Sequence, residues 1–388
     1  MKQSSNSELS EVLKSVNEAT GLSNKHYTNE KIFNLEKDHL LFNKWCGIGF
    51  GKDVPEIGDV APLTFLDLPL LLVRDEKRKV RIFQNTCRHR GMILIEKKCN
   101  IRGTIRCPYH SWCYGLNGEL RATPHVGGPG KNIHKSIKRS QLGLYEFKSH
   151  LWHDVVFLNI SGEAPSFNKV HAKLIDRWIE FNQPLNHSGA DSSIELEVNC
   201  NWKLAVENFC ESYHLPWVHP GLNSYSKLED HYHIEEKGHF SGQGSYFYNQ
   251  LKGENNMTFD DFENLSNKWK TGAEYISLFP NVLLGVHRDH TIAIVLQPLS
   301  TDKTLERIEI HYASSNSASN KYKSMRKRNR ALWNDVFKED IFVVEGMQKG
   351  RQGIFFDGGK FSPIMDSPTH IFHHWVASNL KKNGEMET

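Results

Sequence analysis

The sequence lacks the features that would place the protein in a membrane or on a nucleic acid. Nowhere do eighteen apolar residues follow one another, and positions 1–30 show no charged segment followed by an apolar run. This argues against a membrane span and against a secretory leader. The formal net charge is only +3 over 388 residues, and Lys and Arg are interspersed with Asp and Glu. We therefore expect a cytoplasmic protein that binds neither membranes nor nucleic acids.

Two further absences concern disulfides and nucleotide cofactors. The seven cysteines are an odd number in a chain without a leader, so we expect reduced thiols rather than a disulfide framework. No G-x-G-x-x-G motif follows a strand-like segment, and so no nicotinamide or flavin fingerprint is present. The 21 histidines are more informative, because many stand beside Cys, Glu or another His, where metal ligands are sought.

The apolar pattern changes along the chain. Short apolar runs separated by Gly, Asn, Asp and Pro extend from about Pro55 to Asn159 and predict a small all-β domain. The polar stretch Ile160–Ser192, with two Gly and two Pro, contains a domain boundary. It is followed by a predicted helix around 202–214, a strand-rich middle, and a long helix from about 321 to 348.

These patterns predict an α+β protein in three segments. Leu9, Val12, Leu13 and Val16 recur at helical spacing and predict a helix that docks the N-terminal arm. We assign the arm to residues 1–45, the small all-β domain to 46–165, and the larger domain to 166–388.

The first candidate metal site lies in the all-β segment. Cys87 and His89 are followed, after seventeen intervening residues, by Cys107 and His110. Two short loops thus each offer one thiolate and one imidazole, which is the ligand set of a Rieske-type [2Fe-2S] cluster. The rival interpretation is a structural Cys2His2 zinc site, but zinc fingers usually pair Cys with Cys and His with His.

These loops resemble the Rieske domain of aromatic-ring-hydroxylating and related oxygenase α subunits. The resemblance rests on "NTCRHRG" and "CPYHSWCYGLNGEL" and includes residues around the ligands, such as Arg90, Gly91, Trp112 and Gly118. It implies that Cys87, His89, Cys107 and His110 hold a [2Fe-2S] cluster.

The second candidate site lies in "NWKLAVENFCESYHLPWVHP". On a continuous helix Glu207, Glu211 and His214 would share one face, because they are spaced i, i+4, i+7. His219 would point elsewhere on that helix. Pro216 disfavours helix at Leu215, so we expect His214 to end the helix and His219 to turn back towards the same metal.

Two imidazoles need an anionic third ligand to form a facial triad for Fe(II). Asp340 lies on an otherwise apolar stripe of the predicted long helix, where an unpaired carboxylate would be costly. We predict that it is the third ligand, the alternative being an Asp paired inside the core. Asp335 and Glu339 lie off the stripe and are expected to be solvated, while Glu345 is a weaker competitor.

The family resemblance extends over roughly residues 30 to 375. It implies a helix-grip-like catalytic domain with an antiparallel sheet and helices, and it places His214, His219 and Asp340 at the mononuclear iron. Glu211 stands where most members have an Asp that links the two metal centres of neighbouring subunits, which implies a homo-oligomer, most simply a homotrimer. Glu207 is either a base near the iron or a structural acceptor.

The implied activity is that of an oxygenase terminal component. It would use O2 and electrons from a separate NAD(P)H-dependent reductase, with or without a ferredoxin. "ENFCESYH" is similar to members that oxidise quaternary ammonium compounds, and Tyr246, Phe247, Tyr248, Trp269 and Tyr275 are candidates for a cation-binding cage. The alternatives are an aromatic-ring or aromatic-acid hydroxylating dioxygenase and, from another class, a Rieske electron-transfer protein.

Overall fold

The structure, a computed structural model, describes residues 8–384. The chain forms two compact units: Ile48–Glu163 is one, and the other joins the segment before residue 48 to the segment from Ala164 onwards. The N-terminal arm is thus part of the larger unit. Residues 8–12 are helical (α1), and Leu9 and Val12 are buried in the same apolar cluster as Trp202 and Phe372.

The smaller unit is built from short antiparallel strands, as predicted. Its strands are β1 (Cys46–Phe50), β2 (Asp59–Phe65), β3 (Leu68–Arg74), β4 (Val80–Gln84), β5 (Cys99–Asn100), β6 (Ile105–Arg106), β7 (Cys113–Tyr114), β8 (Leu120–Ala122), β9 (Lys148–Trp152) and β10 (Val155–Asn159). They pair in the orders β4-β3-β2-β5, β1-β10-β9 and β6-β7-β8. Left-handed residues make the tight turns between them, for example Leu66 and Asp67 between β2 and β3.

The larger unit is organised around one seven-stranded antiparallel sheet. Its strands are β11 (Ser193–Val198), β12 (His231–Glu236), β13 (Phe240–Ser245), β14 (Ala273–Leu278), β15 (Val282–Val286), β16 (His290–Ser300) and β17 (Lys303–Tyr312). The order is β11-β17-β16-β15-β14-β13-β12. Burial alternates along β11, which therefore has one face on the core and one in water.

Helices accompany this sheet. The short helices are α2 (Lys25–Thr28), α3 (Glu30–Glu36), α4 (Phe167–Val170), α5 (Ala172–Arg177), α7 (Leu215–Val218), α8 (Pro220–Asn223) and α9 (Asn267–Thr271). The longer ones are α6 (Trp202–Cys210), α10 (Lys323–Gly350) and α11 (Ser367–Gly384). Helices α6, α10 and α11 contact the sheet, and both α10 and α11 pack on α6. Within residues 8–384, none of the helices combines the length and apolarity that crossing a lipid bilayer requires.

A buried ion pair ties the N-terminal arm to α6. Lys203 Nζ lies 2.7 Å from Glu36 Oε2, and neither side chain is exposed to solvent. Burial lowers the pKa of Lys203, whereas the Glu36 carboxylate acts in the opposite direction. Lys203 also donates to Asn201 Oδ1, the residue that caps α6. The pair therefore fixes where α6 begins relative to the arm.

Replacing Glu36 by Gln should destabilise the larger unit strongly, because it leaves the Lys203 charge buried without its partner. We expect a loss of about 3 to 5 kcal/mol in the free energy of unfolding, measured by denaturant titration. Glu197→Gln is the matched control, since Glu197 forms an exposed pair with Lys303 and should change stability by less than about 1 kcal/mol. Equal effects of the two substitutions would contradict the role given to Glu36.

Candidate functional site

The two ligand loops of the smaller unit are the same turn used twice. In the first, Cys87 N donates to Met92 O and Gly91 N donates to Cys87 O. The second loop repeats both hydrogen bonds at the same offsets, from Cys107 N to Trp112 O and from Ser111 N to Cys107 O. The residue four positions after each cysteine is left-handed, with φ of 73° at Gly91 and 56° at Ser111. Each turn thus presents one thiol and one imidazole.

The four predicted ligands fit a cluster in which two cysteines bind one iron and two histidines bind the other. Cys87 and Cys107 are buried, whereas His89 and His110 are exposed, with their ring centroids 4.7 Å apart. The ligand atoms of these four side chains do not all lie within 4.8 Å of one another. Within residues 8–384, one group of three or more metal-binding side chains meets that criterion, and it lies in the larger unit. A single zinc ion, with bonds of roughly 2.0 to 2.3 Å, would need such convergence. A two-iron cluster does not, because the cysteines and the histidines bind different irons.

Two aromatic residues support the ligand loops. Trp112 stacks on His89 with centroids 4.8 Å apart and an angle of 10° between the rings. The Tyr114 hydroxyl lies 3.2 Å from Cys87 Sγ and accepts a hydrogen bond from Arg88 N at 3.0 Å. A hydroxyl aimed at a ligand sulfur tunes the potential of a cluster bound there. Tyr114 was not among the residues predicted from the sequence, although its position within "CPYHSWCYG" places it close to the ligands of the second loop.

In the larger unit, His214, His219 and Asp340 come together, and their ligand atoms lie within 4.8 Å of one another. His219 Nε2 is 3.0 Å and His214 Nε2 is 3.7 Å from Asp340 Oδ1. Two imidazoles and one carboxylate on one side of an ion are the facial set that non-haem Fe(II) takes. The set leaves the remaining coordination positions open, so the residues present fit the iron predicted from the sequence.

The helix that leads to His214 is shorter than predicted. Helix α6 ends at Cys210, and Glu211 is extended, with φ of −128° and ψ of 162°. The reason is local, because the Glu211 carboxylate accepts hydrogen bonds from the backbone N–H groups of Tyr213 and His214. Such side-chain to backbone bonds compete with helix continuation. The prediction that Glu207, Glu211 and His214 share one helical face was therefore wrong.

The predicted role of Pro216 was also wrong. Pro216 lies in the first turn of α7, with His214 as the residue before the helix and His219 as the residue after it. Proline is tolerated there because a first-turn N–H has no partner inside the helix. The short helix thus spaces the two histidines, and their ring centroids are 5.1 Å apart.

A carboxylate orients each of the two imidazoles. Glu211 Oε1 lies 2.6 Å from His214 Nδ1, and Glu339 Oε2 lies 2.7 Å from His219 Nδ1. Burial alone would lower the pKa of His219, but its hydrogen bonds to Asp340 and Glu339 raise it. Each Nδ1 is held by a carboxylate, which directs Nε2 at the metal position.

Glu339 had been predicted to be solvated, and its side chain is indeed 46% exposed. Its contact with His219 was missed because Glu339 lies off the apolar stripe and its partner is 120 residues away in the sequence. Glu345, the weaker competitor for the metal, instead accepts hydrogen bonds from the backbone and side-chain amides of Asn199.

Glu207 lies in a different, buried polar cluster. It accepts a hydrogen bond from Tyr27 Oη at 2.5 Å, and His373 and Arg351 lie 3.3 and 3.8 Å from its carboxylate. Burial would raise the pKa of Glu207, but His373, Arg351 and the Tyr27 hydroxyl together lower it. Glu207 does not line the cavity beside the histidines, so its surroundings are those of a structural acceptor.

A cavity of about 630 Å3, partly open to solvent, lies beside His214, His219 and Asp340. Its apolar wall is formed by the aromatic residues Phe209, Tyr275, Trp333 and Phe337 together with the aliphatic residues Leu215, Leu222, Ile292 and Val336. Polar side chains line another part of it, namely Asn208, Ser226, His231 and Gln243. Neither Lys nor Arg is among the lining residues of the described chain. The cavity can therefore hold a small organic molecule that carries no negative charge.

One of the five residues proposed for a cation cage lines this cavity, namely Tyr275. Tyr246 and Phe247 are exposed on the surface, and Trp269 is buried against Phe181. The Tyr248 ring contacts His287 at a tilt of 47°, and His287 in turn packs against Trp333. An aromatic side chain in the larger domain was thus a poor guide to the lining of the cavity, because neighbouring residues on a strand or loop point to different sides.

A second cavity of about 360 Å3 shares Asn208, Phe209, Phe337 and Asp340 with the first. Glu306 of β17 also lines it. Burial, together with the charge of Asp340, raises the pKa of Glu306 to about 8. The residue pattern of β17 does not single out Glu306, because its neighbours Leu305 and Arg307 are partly buried like Glu306 itself.

The two units define the terminal component of a Rieske-type non-haem iron oxygenase. Residues 186–382 match the family model described as ring hydroxylating alpha subunit (catalytic domain), and residues 44–138 match that of the Rieske [2Fe-2S] domain. The chain belongs to the ring-hydroxylating alpha subunit family. The family resemblance, the fold class, the enzyme class and the cofactors predicted from the sequence are confirmed. A protein with the cluster alone, as in the electron-transfer alternative, would lack the second domain.

Relatives extend over nearly the whole chain. It is 25% identical over 370 residues to choline monooxygenase, chloroplastic, of Arabidopsis thaliana, covering 92% of this chain and 82% of that protein. It is also 25% identical over 390 residues to putrescine 2-hydroxylase of Ralstonia nicotianae, covering 95% and 98%. The crystal structure of the quaternary ammonium Rieske monooxygenase CntA superposes with a TM-score of 0.76 at 19% identity, covering 96% of this chain and 98% of that chain.

Exchanging residues at the repeated turn should affect the two loops unequally. Nothing lies within 4 Å of a Cβ added to Gly91, so Gly91→Ala should cost about 1 to 2 kcal/mol through the left-handed backbone alone. Ser111→Gly removes that strain and should leave stability unchanged or slightly higher. Thermal loss of the visible absorption of the cluster measures both, and a Gly91→Ala protein as stable as the parent would contradict the repeated-turn account.

Glu339→Gln should weaken iron binding by about ten- to a hundredfold, because His219 loses the carboxylate that orients it. Iron titration of the metal-free protein, followed by calorimetry, measures the effect. Asp335→Asn is the matched control, since Asp335 lies on the same helix and makes its one side-chain hydrogen bond with its neighbour Asn334. If both variants bind iron like the parent, Glu339 does not orient the ligand.

Proposed function

We propose that the protein hydroxylates or demethylates a small quaternary ammonium compound. The observation that carries this proposal is the cavity beside the two histidines and Asp340, which has aromatic walls and neither Lys nor Arg in its lining. Aromatic faces attract an organic cation, and a described lining without Lys or Arg provides no ammonium or guanidinium group to pair with an anionic aromatic acid. The choline monooxygenase and putrescine 2-hydroxylase relatives are named for substrates that are cations in water.

The proposed reaction balances as an insertion of one oxygen atom. Substrate C–H, O2, two electrons and two protons give the C–OH product and water. If the oxidised carbon is an N-methyl group, the C–N bond of the N–CH2OH product breaks. Formaldehyde leaves, the amine nitrogen keeps the hydroxyl proton, and the outcome is a demethylation. The cluster supplies single electrons and the ferrous ion activates dioxygen when both are bound.

We assign the residues of the two sites as follows. Cys87, His89, Cys107 and His110 hold the cluster, and His214, His219 and Asp340 hold the iron. Glu211 holds His214 through Nδ1. Glu207 acts as a structural acceptor rather than as a base, because its carboxylate is occupied by Tyr27, Arg351 and His373.

The working unit is proposed to be a homotrimer in which Glu211 links an iron ligand to a cluster histidine of a neighbouring copy. His89 and His110 are exposed in the smaller unit, as that contact requires. Glu211 Oε1 holds one hydrogen bond to His214 and keeps a second lone pair. Tyr213 and Trp217, which flank His214 in sequence, are 41% and 70% exposed, and exposed aromatic residues are common at protein interfaces. Electrons come from a separate NAD(P)H-dependent reductase, directly or through a ferredoxin.

Oxygen uptake and product formation test this function. The iron-loaded protein, supplied with a reductase, is expected to couple O2 use to oxidation of choline and not of benzoate. His214→Ala should retain the visible spectrum of the cluster but form no product, because it removes an iron ligand. His134→Ala, at an exposed site of the smaller unit, is the matched control and should retain turnover.

The outcomes separate the alternatives. Product from benzoate alone would show an aromatic-acid hydroxylase and contradict the substrate class. Unchanged function in His214→Ala would show an electron carrier and contradict the oxygenase assignment itself.

A further inference from the structure

A buried carboxylate lies behind the aromatic wall of the larger cavity. Asp289 is fully buried, and its Oδ1 atom accepts hydrogen bonds from His290 Nδ1 at 2.7 Å and from Tyr248 Oη at 3.3 Å. Its sequence neighbour Arg288 pairs with Asp261 instead. Within residues 8–384, neither Lys nor Arg forms an ion pair with Asp289, and its Oδ2 atom makes no hydrogen bond. Within the described residues, Asp289 thus takes its side-chain hydrogen bonds from an imidazole and a phenol rather than from Lys or Arg.

Hydrogen bonds connect this carboxylate to the cavity wall. Trp333 Nε1 donates to His290 Nε2 at 3.0 Å, and Trp333 lines the cavity. An indole N–H can only donate, so His290 Nε2 accepts and the His290 proton lies on Nδ1, facing Asp289. The imidazole is therefore neutral, and it is polarised by the carboxylate. Linked hydrogen bonds of this kind strengthen one another and shift electron density towards the indole.

The neighbouring part of the wall adds no positive charge. Tyr275, which also lines the cavity, lies 3.0 Å from His287 Nε2 through its hydroxyl. Burial, followed by the proximity of His290, lowers the pKa of His287 well below its usual value. His287 is consequently neutral, and it stacks on His290 with centroids 4.4 Å apart. The His287 ring therefore adds no positive charge behind the wall.

We propose that Asp289, acting through His290 and Trp333, makes the Trp333–Tyr275 wall a binding surface for the ammonium group of the substrate, and that the cavity excludes substrates with a carboxylate. This inference rests on the proposed function and narrows it to cations whose other end is uncharged. The face of an electron-rich indole is the best aromatic partner for a cation. The negative charge behind it acts through the dry interior, where screening is weak. Asp289 is a positioning residue, since it does not touch the substrate.

The polar part of the cavity wall suits a neutral hydroxyl group of the substrate. His231 Nδ1 lies 2.5 Å from Gln243 Oε1, and His231 Nε2 lies 3.0 Å from Ser226 Oγ. Burial lowers the pKa of His231, so this ring is also neutral. A hydroxyl can exchange hydrogen bonds with Ser226 or Gln243, whereas a carboxylate entering here would lose its hydration without a basic partner.

Binding of a cation and of its uncharged isostere tests the proposal. The full-length, iron-loaded protein is titrated calorimetrically without O2 with choline and with 3,3-dimethylbutan-1-ol, in which carbon replaces the nitrogen. The parent should bind choline more tightly. Asp289→Asn should reduce the ratio of the two affinities by about five- to tenfold. The affinity for choline should fall, and the affinity for the uncharged isostere should stay the same. Asp261→Asn is the matched control, because Asp261 pairs with Arg288 at the surface, and it should leave the ratio unchanged.

A second variant decides the question if Asp289→Asn does not fold. Trp333→Phe retains a ring but removes the N–H that reaches His290, and the affinity ratio should again fall. Val336→Ala, which trims an apolar lining residue, should change both affinities by the same factor. A parent-like ratio in folded Asp289→Asn, or in Trp333→Phe if the first variant does not fold, would overturn the inference and leave the proposed function standing.

Two further outcomes concern the substrate. A parent protein that binds the carbon isostere as tightly as choline would overturn both the inference and the proposed substrate class. Glycine betaine, which is close to choline in size but bears a carboxylate, should bind more weakly than choline. Tighter binding of glycine betaine would overturn the exclusion of carboxylates.

Discussion

The larger unit depends on the pairing of charges that it has buried. Lys203 with Glu36, and Glu207 with Arg351 and His373, lie where helix α6, the N-terminal arm and the ends of α10 and α11 meet. A buried charge without its partner is strongly unfavourable, so these side chains tolerate few alternative arrangements of the helices. Helix α6 leads to the two histidines and α10 carries Asp340. Asp340 is 121 residues from His219 in the sequence, and the two can share one site because this charged cluster holds their helices in register.

The sequence predicted which side chains of the larger unit come together better than it predicted the backbone that presents them. A metal site requires particular side chains, and these side chains can be seen directly in the sequence. The signals are the spacing of Cys87, His89, Cys107 and His110 and the apolar stripe around Asp340. The end of α6 at Cys210 is different. It is set by hydrogen bonds from the Glu211 carboxylate to nearby backbone N–H groups, and helical spacing carries no sign of that competition.

Contacts between distant elements account for the other errors. Glu339 contacts His219 across 120 residues of sequence, and Trp333 contacts His290 across 43. The period of a single helix predicts neither contact. The repeated turn in the smaller unit is hidden for another reason. Its left-handed position is Gly in one loop and Ser in the other, since the geometry is set by the hydrogen bonds to the cysteine backbone. The repeat is thus visible in the structure and absent from the residue types.

The two phenylalanines between the cavities have a consequence for how substrate range could evolve. Phe209 and Phe337 line both cavities, so each ring acts as a partition inside the protein. Shortening one of them would join the two spaces and lengthen the accessible chamber without altering a strand, a metal ligand or the buried charges. Descendants of this protein could therefore accept longer molecules through a single codon change.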